Sequence, residues 1–162
     1  MTVVEQRLAD LGLVLPPEPK VPPNITLPFH WVRVRGTRAF VSGHGALDSD
    51  GVPGGPFGPV PSQVSLEQAQ GSGRSAVLSM LASLQRTLGD LDKVVAWLTL
   101  SAFVNADPGY EWTTLVLNPA SELLLDLYGP DAGAHARTAP GVSALPFNLT
   151  VVIAAEVEIA ST

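Results

Sequence analysis

Arg137 is the residue best suited to hold an anion. Between Ala132 and Ala155 the sequence has no acidic residue, and Arg137 is the only lysine or arginine. A charge in such apolar surroundings needs a partner, and the planar guanidinium matches a carboxylate through two parallel hydrogen bonds. Two interpretations stay open: Arg137 binds the carboxylate of a ligand, or it pairs with an aspartate or glutamate from elsewhere in the fold.

Three histidines are the other candidates for chemistry: His30, His44 and His135. No pair has the i, i+4 or H-x-H spacing of zinc ligands, and the chain has no cysteine, so we predict no metal site. In an extended segment His135 would point the same way as Arg137 and border an anion pocket, although an ordinary surface histidine explains it as well. A Ser42–His44 nucleophilic pair is not expected, because the sequence lacks a G-x-S-x-G turn.

The composition argues against several classes of partner. The chain has 9 Lys and Arg against 15 Asp and Glu, a net charge of −6, and only 15% charged residues. Without a basic patch we expect no binding to nucleic acid or to an anionic membrane, and no run approaches the ~20 apolar residues of a membrane span. The lack of cysteine and of a signal-peptide pattern predicts a cytoplasmic protein. Because a typical domain has about 25% charged residues, we expect one domain that associates with copies of itself.

The elements that must position these residues begin with a short helix. Thr2 and Glu5 form a predicted capping box, and Gly12 ends the helix. Residues 13–28 contain six prolines, which predict an extended connector. Residues 31–43 are typical of two strands joined by a tight turn, so the first half of the chain supplies a helix and a hairpin.

Two further helices alternate with strands in the second half of the chain. A capping box at Ser65 predicts the start of the longest helix, and Gly89 its end. Residues 94–104 are rich in β-branched side chains and favour a strand. Asn118 and Pro119 predict the N-cap and first position of the next helix, which would stop at Gly129.

The last strand has the clearest pattern in the sequence. From Leu149 to Ile159 every odd position is apolar, while the even face begins apolar and ends with Glu156 and Glu158. One face must lie on helices, and the apolar start of the other indicates burial against another subunit. The order of elements therefore predicts an α+β fold, in which one sheet carries both helices on one side.

Taken in order, these elements resemble the Rid family, the reactive-intermediate deaminases also called YjgF or endoribonuclease L-PSP proteins. The likeness extends over nearly the whole chain, and its most specific parts are the last blocks around Asn118, Arg137 and Leu145-Pro146. The matching blocks are residues 28–34, 40–44, 64–69, 88–94, 103–105, 118–123, 135–138 and 145–146. The resemblance implies a chorismate-mutase-like fold over residues 24–162 and a homotrimer with ligand pockets between subunits. Residues 1–23 would form an N-terminal helix and proline-rich connector.

The resemblance also implies an activity and its residues. Active members of the family hydrolyse enamine and imine acids, such as 2-aminoacrylate and 2-iminopropanoate, to 2-keto acids and ammonia without a cofactor. Arg137 matches the arginine that holds the substrate carboxylate, and the backbone carbonyl of Ala139 would steady the nitrogen. Asn118 matches a family asparagine, although its expected role as an N-cap explains it alone. Phe29 stands where active members have a tyrosine, so the phenolic hydroxyl is lost.

The important departure from the family lies on the last strand. Val152 takes the place of the glutamate that orients water, and a valine cannot accept a proton. His44 and His30 are the nearby candidates for a substitute base. Ser42, Gly43 and His44 lie where a strand ends, a frequent place for pocket residues, so we count them with His30 as candidate substrate-binding residues.

Several functions stay open at this stage. The leading hypothesis is a protein that binds small 2-imino or 2-keto acids and hydrolyses imines with reduced or altered activity. The alternatives are a non-catalytic trimeric protein that binds small carboxylates and a divergent enzyme of specialised metabolism. The endoribonuclease activity in the family's name ranks last, because the acidic charge opposes binding to phosphates.

Overall fold

Three helices and a mixed sheet make up the fold. The computed structural model describes residues 1–161, which form α1 Val3–Asp10, β1 Val32–Arg35, β2 Arg38–His44, α2 Leu66–Leu88, β3 Val94–Asn105, α3 Thr113–Ala132, β4 Ala136–Thr138, β5 Gly141–Val142 and β6 Val151–Ile159. The strand order is β1-β2-β6-β3-β4, and β5 also pairs with β3. Only β4 and β5 run parallel to their neighbour β3. The α+β class is therefore confirmed, with two short strands that the sequence analysis did not separate.

The core lies between the sheet and the two long helices. Helix α2 contacts β2 and β6, α3 contacts β3, and the two helices contact each other. Along β6 the odd residues are buried and most even residues are half-buried, as the alternation predicts. Phe40 and Phe103 of the sheet remain partly exposed. Of the helices formed by residues 1–161, none combines the length and apolar character needed to cross a bilayer.

Local signals place most element boundaries correctly. Both capping boxes form, at Thr2 and at Ser65, and Gly89 ends α2 in the left-handed conformation at φ 78°. The predicted hairpin forms between β1 and β2. Gly129 leaves the helical conformation at φ 88° and ψ 172°, and Pro130 then begins a further turn. These features depend on neighbours in sequence, which is why a pattern predicts them.

Helix α1 is attached to the core at both ends. The carboxylate of Asp92 accepts hydrogen bonds from the amides of Val3 and Val4, at 2.8 and 3.0 Å. Arg7 Nη1 donates to the carbonyl of Leu127 at 2.6 Å. The division of the chain at residue 23 stays a prediction.

The expected start of the third helix is wrong. Helix α3 begins at Thr113, so Asn118 is inside it and does not cap it. Pro119 has no N–H and cannot donate to the carbonyl of Leu115, which would normally break the helix. The side-chain amide of Gln70, on α2, donates to that carbonyl instead, at 3.0 Å. A contact from a distant segment thus lets the helix run through a sequence that is typical of a helix start.

Candidate functional site

A cavity of about 650 Å³ opens beside the end of β2 and the start of β6. The proline-rich connector, the loop after β2 and the turn before β6 form much of its wall. Four predicted site residues line the cavity with two further aromatic residues: Phe29, Gly43, His44 and Val152, with Trp31 and Phe147. The structure therefore brings together the candidates that lie far apart in sequence around residues 29–44 and 152.

Phe29 and its neighbours form an aromatic edge of this cavity. Phe29 is half-exposed and packs edge-to-face on Trp31, with the ring centroids 5.3 Å apart. The Ser42 hydroxyl donates to the carbonyl of His30 at 2.7 Å. His30 is exposed, and neither it nor Ser42 lines the cavity. These two candidates support the hairpin beside the cavity.

His44 is buried, and both of its ring nitrogens are engaged. Nδ1 lies 2.5 Å from the carbonyl oxygen of Ser42, and Nε2 lies 2.8 Å from Ser83 Oγ. Because a carbonyl can only accept, Nδ1 carries the proton and Nε2 accepts from the serine. Burial, helped by the nearby charge of Arg86, lowers the pKa of His44 to about 4. The imidazole is neutral at pH 7, and its Nε2 lone pair accepts the hydrogen bond from Ser83. His44 is therefore not available as a base in this geometry.

Gly43 and Val152 make the closest approach on the cavity wall. A Cβ added to Gly43 would lie 2.9 Å from Val152 Cγ1, which is closer than carbon atoms pack. A side chain at this position would force Val152 or the strands to shift, so glycine lets β2 and β6 come together around the valine. The side chain of Val152 adds apolar surface and no proton acceptor.

The guanidinium of Arg137 is held at the other edge of the sheet, where β4 meets α3. Nη1 donates to Ser121 Oγ at 2.9 Å. Nη2 lies 2.9 and 3.1 Å from the hydroxyl and carbonyl oxygens of Thr114, and 3.1 Å from Asn118 Oδ1. Among residues 1–161 the one ion pair joins Arg38 and Glu156. All the partners of Arg137 in that range are thus neutral, and partial burial lowers the pKa of the guanidinium.

Thr114 and Ser121 are the residues of this cluster that the sequence analysis missed. Thr114, Asn118 and Ser121 follow one another at i, i+4 and i+7, so three polar side chains share one face of α3. That spacing was a usable signal, because the other face of the helix is apolar. The error in the start of α3 hid it.

His135 lies beside this cluster, as an extended segment predicts. Its Nε2 is 2.9 Å from Ser121 Oγ, and its Nδ1 is 2.8 Å from the carbonyl of Gly133. By the same argument as for His44, Nδ1 donates and Nε2 accepts from the serine. Ser121 therefore links the imidazole to the guanidinium of Arg137. Ala139 follows β4 and is half-buried against the core.

The predicted site residues form two groups within one chain. Arg137 lies on β4, and the cavity lies on β2 and β6, up to three strands away. Neighbouring strands are ~4.8 Å apart, so the separation across the sheet is roughly 14 Å. In residues 1–161 no group of three or more His, Asp or Glu side chains could hold a metal ion. One chain alone does not join the arginine to the cavity.

Known proteins share this fold and part of the sequence. Protein TCP17 of Trypanosoma cruzi is 36% identical over 115 residues, which cover 71% of the chain and 72% of TCP17. Atu1372 of Agrobacterium tumefaciens, a protein of unknown function, superposes with a TM-score of 0.85 at 34% identity, over 97% of the chain and 92% of Atu1372. A Shewanella oneidensis MR-1 protein named as an endoribonuclease superposes with a TM-score of 0.83 at 24% identity, over 98% of the chain and 100% of that protein.

More distant structures show the fold alone. Proteins named RidA, TdcF and endoribonuclease L-PSP superpose with TM-scores of 0.54 to 0.58 at 15 to 17% identity. No family model matches the chain.

Proposed function

Because the chain belongs to the Rid/YjgF family, we propose that it binds the carboxylate of a small 2-imino or 2-keto acid through Arg137. One observation carries this proposal: the guanidinium has only neutral partners among residues 1–161. Its charge is fixed in place and stays uncompensated. A planar fork held in this way is suited to a carboxylate, because little side-chain freedom is lost on binding.

The hydrogen bonds around Arg137 leave donors for a ligand. A guanidinium has five N–H groups, and the contacts with Thr114, Asn118 and Ser121 engage Nη1 and Nη2. The Nε–H has no partner within the described residues. Because the Nε–H points to the side of Nη2, a carboxylate that accepts from it would form a two-point pair by taking over an Nη2 hydrogen from Thr114 or Asn118.

We place the complete site between copies of the chain in a homotrimer. Within one chain Arg137 and the cavity lie on different strands, so a neighbouring copy would be needed to bring them together. The exposed rings of Phe40 and Phe103 and the low charged fraction support burial of the open sheet face. In such a site the carbonyl of Ala139 would lie near the nitrogen of the ligand.

The site is better equipped to bind a carboxylate than to catalyse a reaction on it. Hydrolysis of an imine needs a group that orients water and moves a proton. Val152 supplies neither, and both nitrogens of His44 are engaged. We therefore propose carboxylate binding with reduced or altered imine hydrolysis and without a cofactor. Val152 and Phe29 also favour a second candidate, a non-catalytic protein that binds small carboxylates.

Titration calorimetry with 2-oxobutanoate tests the binding. Arg137→Ala should lower the affinity at least tenfold, because a hydrogen bond to a charged group contributes about 1.5–3 kcal/mol. Arg74→Ala removes an exposed arginine from α2, away from the open sheet face, and is the matched control, which should bind like the wild type. Equal affinity of Arg137→Ala and wild type would refute the proposal.

Val152→Glu separates the two candidate functions. The lifetime of an imine produced by an amino-acid oxidase is followed by trapping with semicarbazide. A wild type that shortens the lifetime in an Arg137-dependent way is an enzyme. An inert wild type with an active Val152→Glu variant supports the non-catalytic candidate, since the fold and the anion site would then be intact.

A further inference from the structure

The cavity beside β2 differs chemically from the Arg137 cluster. Apart from Lys20, His44 and the indole N–H of Trp31, its lining consists of apolar side chains, prolines and glycines. Lys20 is exposed, so its ammonium remains hydrated. His44 offers no free donor or acceptor, because Ser42 and Ser83 engage both nitrogens. The walls therefore lack the fixed polar groups that a phosphate, a sugar or a second charged group would require.

The size of the cavity suits a small molecule. Its volume of about 650 Å³ falls within the 300–1,000 Å³ typical of ligand pockets. That space far exceeds a side chain of one or two carbons. A compact aromatic ring system would fill it better and would remove more apolar surface from water.

Three aromatic side chains line the cavity: Phe29, Trp31 and Phe147. Phe147 is 57% exposed, although a phenyl ring gains from burial. Its backbone has φ 57°, in the left-handed region that is costly for a bulky residue, and Asn148 follows with the same φ. The turn is held by hydrogen bonds from the Asn148 amide to Leu145 and from Gly58 to the Asn148 carbonyl. The fold thus keeps a strained, exposed aromatic residue at the cavity.

We propose that this cavity binds an aromatic or branched apolar body, so that the acid recognised by the protein has a large apolar side chain. The preference for an acid with a large apolar side chain rests on the proposed function of Arg137. Binding of an apolar body in the cavity does not rest on that function, because it depends only on residues that line the cavity. The ligand class is then an arylalkyl or branched 2-imino or 2-keto acid.

Indole tests the cavity without a carboxylate. We expect calorimetry to detect indole binding to the wild-type protein, and Phe147→Ala to weaken it at least threefold. Phe57→Ala is the matched control, because it also removes a partly exposed phenyl ring but from outside the cavity. Both positions are exposed, so the fold should survive either change. Absence of indole binding, or an equal loss in the two variants, would overturn the proposal.

A series of 2-keto acids with side chains of increasing size then tests the preference for a large apolar side chain. From 2-oxobutanoate through 4-methyl-2-oxopentanoate to phenylpyruvate, affinity should rise at least tenfold and should depend on Arg137 throughout. If indole binds and none of the acids does, the proposed function fails while the cavity site stands. If the acids bind equally well and indole does not bind, the cavity proposal fails while the role of Arg137 stands.

Discussion

Two series of hydrogen bonds, each joining an arginine, a serine, a histidine and a carbonyl, have the same chemistry and different surroundings. In the first, Arg86 donates to Ser83 Oγ at 3.0 Å, Ser83 donates to His44 Nε2, and His44 donates to the Ser42 carbonyl. The serine and the histidine are both 2% exposed, while the arginine is exposed and keeps one such bond. This series fixes a neutral imidazole between α2 and β2.

The second series has the same order of donors at the edge of the sheet. Arg137 donates to Ser121, Ser121 to His135, and His135 to the carbonyl of Gly133. Here the guanidinium is the group held most firmly, because Nη2 also meets Thr114 and Asn118. Residue types alone therefore do not separate a structural link from a candidate anion site. Burial of the histidine makes the first a structural link, and immobilisation of the arginine makes the second a candidate anion site.

Removing the two histidines should give the largest difference. His44→Ala deletes a buried ring and leaves the Ser83 hydroxyl and the Ser42 carbonyl without it, so we expect a loss of about 3 kcal/mol in unfolding free energy. His135→Ala lies at the edge and should cost less than about 1 kcal/mol. Urea unfolding at one fixed protein concentration measures both. Equal losses would contradict the structural role assigned to His44 alone.

The pH dependence of stability should follow His44. Its pKa is about 4 in the folded protein and 6.5 as the ordinary value, so between these values the unfolded chain binds a proton that the native state does not. Stability is therefore complete above pH 6.5 and falls by roughly 3 kcal/mol as the pH drops towards 4. His44→Gln should flatten this slope and His135→Gln should keep it. A slope unchanged by His44→Gln would contradict the assignment.

Replacing each arginine by lysine tests which guanidinium matters for binding. Arg137→Lys keeps the charge but loses the planar fork, so we expect about a tenfold loss of 2-keto acid affinity. Arg86→Lys should leave the affinity at the wild-type value. If Arg86→Lys lowered the affinity as much as Arg137→Lys, the two series of hydrogen bonds would not differ in function.

The serines should show the smallest effect on binding. Ser121→Ala removes one of the contacts that orient Arg137, and we expect about a threefold loss of affinity. Ser83→Ala should not change the affinity, although it removes a partner of His44. Isothermal titration of both variants checks this, and an unchanged affinity in Ser121→Ala would show that the remaining contacts orient the guanidinium alone.

Local patterns predicted much of the fold and one half of the candidate site. The capping boxes, the hairpin and the alternation of β6 depend on residues a few positions apart, and all three are confirmed. Arg137 could be singled out because no acidic residue lies near it in sequence. That argument needs no tertiary structure.

The misplaced start of α3 shows where local reasoning ends. The dipeptide Asn118-Pro119 is typical of a helix start, and only Gln70 on another helix makes it acceptable inside one. The polar face with Ser121 was hidden by the same error. The direction of His44 also depends on a distant residue, Ser83 on α2.

The order of residues along β6 is enough to predict which of its faces turns to the core, because alternation along a strand is a property of the backbone. Local patterns do not predict that Arg137 meets neutral oxygens of α3, or that Phe29, Gly43 and Val152 surround a separate apolar cavity. The physical reason is sequence distance: these contacts join segments that only the packing of helices on the sheet brings together.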